Sequence, residues 1–170
     1  RSSHYYWTID NINIFELPAY DIKQVNLWMA DVNNGLEYTS FPANQMSTLT
    51  VQSPLLNSGV GAPTNIAMEI TTFDGSNTII DGPVEGGSLL IGSLNSGERD
   101  TITFATAIDL SGYALGDYTV RSVIKYDETD EVTANDTVFR TFKVVENSMG
   151  HDNFDLSMTT NQIGYTNDSK

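Results

Sequence analysis

Residues 115–126, LGDYTVRSVIKY, contain the pattern that decides the fold. From residue 118 onward, alternate residues share one face of an extended chain: Tyr118, Val120, Ser122, Ile124 and Tyr126. This period of two is typical of a β-strand with one face in a core and the other in solvent. Gly116 allows a turn before the strand, so we predict a tyrosine corner at Tyr118, whose hydroxyl would bond to upstream backbone.

The same alternation recurs along the chain. It is clearest at residues 48–52, 65–70 and 101–105, and no window carries an apolar stripe at helical spacing. Turn-forming residues separate these runs at short intervals, at residues 57–59, 74–75, 81–83, 95–97 and 115–117. The sequence therefore predicts an all-β protein, an antiparallel β-sandwich of about seven strands with extra terminal strands.

Two of these turns share an Asn-Ser-Gly sequence. We expect Asn57 and Asn95 to hydrogen-bond the backbone of their own turns. We also expect Gly59 and Gly97 to adopt positive φ, which glycine tolerates without strain.

Composition limits the partners. The 170 residues carry 22 acidic and 8 basic side chains, a formal net charge of -14. This field disfavours nucleic acid and acidic lipid surfaces, and leaves solubility or divalent-cation binding as its roles. Cysteine is absent, which excludes disulfides and thiolate chemistry, and no apolar run is long enough to insert into a membrane. Because the chain starts at Arg1, we expect a mature product or an excised fragment.

The two ends differ from the middle. Residues 5–15 read as a strand with a bulge, which stops at Leu17-Pro18, and residues 147–153 break the alternation with small and polar residues. We predict a sandwich over residues 19–146. Residues 1–18 would be the closing strand of a preceding module or an added edge strand, and residues 147–170 a linker and the start of a following module. We expect residues 5–15 to pair with a sheet edge.

Short stretches along the chain carry a family pattern: Asp21–Val25, Phe41–Gln45, Leu55–Gly59, Leu94–Glu98, Leu115–Val120, Tyr126–Asp130 and Asn135–Thr137. Together they resemble CARDB-type immunoglobulin-like repeats of large secreted Bacteroidetes surface proteins. Residues 7–14 resemble the closing strand of a MAM-like or carbohydrate-binding jelly roll, and residues 149–153 the opening of another module. The resemblance implies an immunoglobulin-like fold, a multidomain adhesin-like parent and export as a type IX secretion cargo.

Motifs for catalysis are missing. His4 and His151 lie in the flanks without partners at metal-ligand spacing, and no nucleophile elbow or phosphate loop occurs. We therefore predict a protein that is not an enzyme and has no cofactor. Calcium is kept as an alternative, because Asp127, Glu128 and Asp130 (with Glu131 beside them) are close enough in a loop to converge on one ion. A hairpin connection is the competing interpretation.

Other residues suggest glycan contacts or glycosylation. Trp7 and Trp28 are candidates for stacking on sugar rings, although each lies in an alternating strand, which favours burial. Thr101 and Thr137 follow Asp and precede an apolar residue, a pattern that resembles Bacteroidetes O-glycosylation acceptors. Asn135 and Asn167 begin N-glycosylation sequons.

Two functions remain open from these observations. The first is a non-catalytic structural or adhesion module of a secreted or cell-surface multidomain protein, whose partners are neighbouring domains, surface glycans or other proteins. The second is a carbohydrate-binding accessory domain of a secreted hydrolase.

Overall fold

The computed structural model describes residues 16–85 and 91–146. Within these ranges the chain forms eleven strands and one 3₁₀ turn, Thr133–Asn135. The strands are β1 (Ile22–Gln24), β2 (Trp28–Asp31), β3 (Ser40–Pro42), β4 (Thr48–Asn57), β5 (Thr64–Asp74), β6 (Ile79–Glu85), β7 (Ile91–Ser93), β8 (Arg99–Thr103), β9 (Ile108–Asp109), β10 (Gly116–Lys125) and β11 (Thr137–Val145). No helix in the described part of the chain is long and apolar enough to cross a membrane.

The strands form two sheets. In the first, β4 is central, with β1 and β2 on one side and β8 and β9 on the other. The second has the order β3-β11-β10-β5-β6, and β7 also pairs with β5. These ladders are antiparallel except for β3 with β11, which is parallel. The predicted immunoglobulin-like sandwich is confirmed.

The core lies between the sheets and follows the alternation in sequence. Strand β4 buries every second residue, and β10 buries Tyr118, Val120, Ser122 and Ile124, the face that the sequence pattern predicts. The Tyr118 hydroxyl donates a 2.7 Å hydrogen bond to Ala114 O, which confirms the tyrosine corner. Its ring stacks on Phe142 with centroids 5.2 Å apart, so the corner fixes the start of β10 against β11.

The first and last described strands place the chain's entry and exit at opposite ends of the sandwich. Ile22 begins β1 opposite Asn57, and the neighbouring Asp21 contacts Asn135, just before β11. From that entry end, β11 runs nine residues to Val145, which is about 27 Å at the usual rise per strand residue. We call the end with Asp21 the entry end and the end with Val145 the exit end.

The turn at residues 57–61 holds the entry segment, residues 18–21. Ser58 N donates to Asp21 O (2.9 Å), Val60 N to Pro18 O (3.0 Å) and Gly61 N to Ala19 O (2.7 Å). The prediction for Asn57 is confirmed, since its Oδ1 accepts from Gly59 N at 2.8 Å.

The other turn predictions have mixed outcomes. Gly97 has the expected positive φ of 75°. Gly59 does not; a Cβ there would lie 2.8 Å from Asp21 N, so the position needs glycine because two backbones approach closely. Asn95 bonds the Glu98 carboxylate rather than backbone. Residues 81–83 lie inside β6, at a register shift against β5, and form no turn between strands.

Candidate functional site

Three aspartates meet at the entry end. Asp21 precedes β1, Asp130 lies in the connection between β10 and β11, and Asp136 directly precedes β11. One carboxylate oxygen from each lies within 4.8 Å of one from each of the others. These three residues, which we call the aspartate cluster, join segments that are far apart in sequence.

Local backbone structure positions each member. The entry segment is fixed by the 57–61 turn, and Asn135 Nδ2 donates to Asp21 Oδ1 at 3.0 Å. Asp130 Oδ1 accepts from Val132 N at 2.6 Å, which tightens the loop before the 3₁₀ turn. Asp136 O accepts from Ile124 N at 3.0 Å, which fixes the backbone of Asp136 beside the Val123–Thr137 pair that ends the β10–β11 ladder.

The cluster is buried. Asp21 is 4% exposed and Asp136 6% exposed, while Asp130 is half-buried. Burial, followed by the nearby carboxyls of Asp130 and Asp21, raises the pKa of Asp136 to about 7. The Asp136 carboxyl is therefore partly protonated at neutral pH.

Two buried oxygens at the cluster lack a hydrogen-bond donor, Asp136 Oδ1 and Asn135 Oδ1. Burial, followed by a hydrogen bond with Asp130 and by the charges of Asp130 and Asp136, raises the pKa of the nearby Tyr126. Unpartnered polar atoms are uncommon in buried positions, so the two oxygens mark a site that is suited to an additional group.

The predicted calcium residues are divided between two places. Of Asp127, Glu128 and Asp130, only Asp130 belongs to the aspartate cluster of the described residues. Glu128 accepts from Thr64 N (2.8 Å) and Thr64 Oγ1 (2.9 Å), and the backbone bond lowers its pKa. Asp127 accepts from Asn65 Nδ2. Both bind the connection that follows β10 to the start of β5, and this connection joins the antiparallel neighbours β10 and β11, as in the hairpin interpretation.

Sequence reasoning missed Asp21 and Asp136. Neither belongs to an acidic run, and the resemblance placed Asp136 in a turn motif with a glycosylation sequon at Asn135. Asn135 instead uses its amide nitrogen to bind Asp21 and is half-buried. No signal in the sequence joins residue 21 to residue 136, because their proximity depends on how the two sheets stack.

The glycan candidates have different surroundings. Trp7 lies outside the described residues. Trp28 is 39% exposed on the outer face of the first sheet, so the expectation of burial is wrong. It lies opposite Gln52, and Gln52 opposite Thr103, in one row across β2, β4 and β8. Gln52 Nε2 donates to Thr103 Oγ1 at 3.1 Å. This row presents an aromatic face beside amide and hydroxyl groups.

The glycosylation candidates also differ. Thr101 is exposed in β8, whereas Thr137 is half-buried at the start of β11. A large aromatic that sequence reasoning did not single out, Phe139, is 60% exposed on the opposite sheet.

Comparison with known proteins gives likeness of fold. No family model matches the sequence, and no curated protein matches it. The C-terminal domain of wzt is 17% identical, with a TM-score of 0.51, 78% of this chain covered and 83% of that one. At this identity the likeness is one of fold alone.

CARDB domains are also among the structural neighbours. The CARDB domain of a Pyrococcus furiosus protein, solved in complex with di-metal ions, is 15% identical with a TM-score of 0.45, covering 84% of this chain and 100% of that one. At this TM-score the likeness carries no argument about function, and the metal ions are a property of that protein. The Bacteroidetes origin, the flanking modules and the boundaries at residues 18 and 147 stay predictions.

Proposed function

We propose that this chain is a non-catalytic spacer module of a secreted or cell-surface multidomain protein, which holds neighbouring domains at a fixed separation. The observation that carries the proposal is the placement of entry and exit. The entry segment lies beside Asn57 and Asn135, whereas β11 ends about 27 Å away at Val145. Such a module adds its own length between two neighbours.

The ladders at the two ends support a mechanical role. β1 pairs with β4, and β11 pairs with both β10 and β3. A force that draws residues 21 and 145 apart acts along these strands. Because inter-strand hydrogen bonds are perpendicular to antiparallel strands, the force loads several of them together in shear. At the exit end the eight residue pairs of the β10–β11 ladder must therefore break together, whereas at the entry end the three pairs of β1 with β4 act together with the backbone bonds from the 57–61 turn.

The surface at the entry end suits contact with a preceding domain. An open groove of about 550 Å³ is lined by Leu17, Pro18, Val60 and Val132, among others. Leu17, Val60 and Val132 are each more than a third exposed. Aliphatic groups next to a chain entry provide a contact surface that limits the angle between two domains.

Single-molecule pulling tests the proposal. The chain has no cysteine, so Leu17→Cys with Glu146→Cys gives two unique handles, one at each end. We expect the described sandwich to unfold in one step at high force. The matched control is Leu17→Cys with Val132→Cys, where both handles are at the entry end and the strands are peeled rather than sheared. Equal unfolding forces in the two geometries would overturn the proposal.

A second function, carbohydrate binding as an accessory domain, is favoured by the row of the exposed Trp28 with the half-buried Gln52 and Thr103. An aromatic face with adjacent hydrogen-bonding groups suits a sugar ring. A glycan array with the full chain tests this function. We expect Trp28→Ala to abolish any signal, while Phe139→Ala, which removes an exposed aromatic from the opposite sheet, leaves it unchanged. An array on which the folded protein is silent would reject carbohydrate binding.

A further inference from the structure

We propose that Asp21, Asp130 and Asp136 form a divalent-cation site that prefers calcium. Calcium–oxygen distances are about 2.4 Å, so two ligands of one ion are at most about 4.8 Å apart. The three carboxylate oxygens meet this limit, since all lie within 4.8 Å of one another. The three oxygens are therefore close enough for small side-chain movements to bring them onto one shared ion.

A second observation, independent of the number of charges, also indicates a ligand. Asp136 is more than nine-tenths buried, and its Oδ1 has no partner. Asn135 Oδ1 is likewise buried and unpartnered, although the amide nitrogen of the same side chain already contacts Asp21. A buried oxygen without a donor is unfavourable, and a carboxylate in that position is more so. A cation in the cluster gives these oxygens a partner.

The chemistry of the donors favours calcium. The available atoms are carboxylate and amide oxygens, with no nitrogen or sulfur ligand among the residues of the cluster. Oxygen ligands of this kind suit calcium or magnesium. The donors come from a loop, a 3₁₀ turn and an entry segment, which is an irregular set. Calcium accepts six to eight ligands in flexible geometry, whereas magnesium requires a near-ideal octahedron.

An ion at this place has a structural consequence. Asp21 belongs to the entry segment, and Asp130 and Asp136 belong to the connection between β10 and β11. A shared ion therefore ties the start of the fold in the first sheet to the second sheet. The site stands whether or not the chain is a spacer. In a spacer, calcium would stiffen the junction with the preceding domain.

Isothermal titration of the chelator-treated full-length chain with calcium chloride tests the site. We expect saturable one-site binding with a dissociation constant of about 10⁻⁴ to 10⁻³ M, the range of extracellular calcium modules. Asp136→Asn should weaken binding at least tenfold. Asp127→Asn is the matched control, since it removes an equally charged neighbour that bonds Asn65 outside the cluster, and it should bind as the parent does.

The thermal unfolding temperatures of the same variants show whether weaker binding is due to loss of the calcium site or to loss of the folded structure. Without calcium, we expect Asp136→Asn to unfold at or above the temperature of the parent, because it removes like-charge repulsion in a buried place. With calcium, only the parent and Asp127→Asn should gain stability.

Three results would overturn the proposal. They are the absence of calcium binding by the parent, unchanged binding by Asp136→Asn, and loss of binding by Asp127→Asn. Magnesium binding as tight as that of calcium would reject the assignment of the ion. None of these results depends on the pulling experiment, so the site and the spacer function can fail separately.

Discussion

Replacing Asn57 by alanine tests whether one buried amide holds the entry end together. Asn57 is 1% exposed. Its Nδ2 donates to Gly61 O and Leu94 O, both at 2.7 Å, and its Oδ1 accepts from Gly59 N at 2.8 Å. The side chain thus joins the two ends of the 57–61 turn, which binds the entry segment. It also links that turn to Leu94, in the connection between β7 and β8.

The expected cost follows from these three bonds. A typical hydrogen bond contributes about 1 kcal/mol, and a buried group left unpaired costs about 1–3 kcal/mol. Gly59 N keeps a second acceptor, Asp21 O at 3.3 Å, so the two carbonyls of Gly61 and Leu94 dominate the loss. We expect Asn57→Ala to lower the free energy of unfolding by about 3–4 kcal/mol, a large part of the stability of a single domain.

Urea unfolding followed by far-UV circular dichroism measures this difference. Asn95→Ala is the matched control, because Asn95 bonds Glu98 on an exposed turn of the same Asn-Ser-Gly sequence. We expect the control to lose less than about 1 kcal/mol. If Asn57→Ala costs no more than Asn95→Ala, the reasoning about the entry end is refuted.

Three further predictions concern the hydrophobic core, the tyrosine corner and the loss of stability at acid pH. Leu49→Ala should cost about 2–5 kcal/mol in urea unfolding, because Leu49 is fully buried in β4; a cost below about 1 kcal/mol would contradict the packing. Tyr118→Phe should cost about 1 kcal/mol by the same assay, since only the bond to Ala114 O is lost. The hydrogen bond from Ser111 N lowers the pKa of Asp109 below its usual 3.8. Its contribution to stability is therefore present above about pH 4 and lost as pH falls through the lowered pKa. Asp109→Asn should flatten the dependence of the urea midpoint on pH below 4, and an unchanged slope would contradict this.

The sandwich was predictable because strand periodicity is a local property. The alternation around Val120 determines which face of β10 is buried, and the Gly116–Tyr118 spacing determines the tyrosine corner. Prediction became weaker where two segments interact. The turn sequence predicted a positive φ at Gly59. The structure instead requires glycine there because a Cβ would be too close to Asp21 N. The sequence predicted a turn at residues 81–83, but these residues pair with β5 and belong to a strand.

The candidate site was only partly predictable for the same reason. The acidic run indicated Asp127, Glu128 and Asp130 together, because neighbours in sequence were assumed to be neighbours in space. The chain instead bends at residues 127–128, where Glu128 binds Thr64, and Asp130 is left for the cluster. Asp21 and Asp136 carry no local signal. Their meeting depends on the stacking of the two sheets, which the sequence pattern does not specify.

With 22 acidic residues, charge alone does not distinguish a binding site from a solvated surface. Burial does, because an exposed carboxylate is stabilised by water, whereas Asp21 and Asp136 have lost that stabilisation. A fold gains nothing from burying like charges together unless another group offsets their repulsion. The cluster, moreover, lies where the entry segment meets the second sheet, and the neighbouring turn needs both Gly59 and the buried Asn57 to hold that segment. The close backbone approach at Gly59, the hydrogen bonds of Asn57 and the buried carboxylates thus coincide at the entry end, which is the end that a preceding domain and a cation would share.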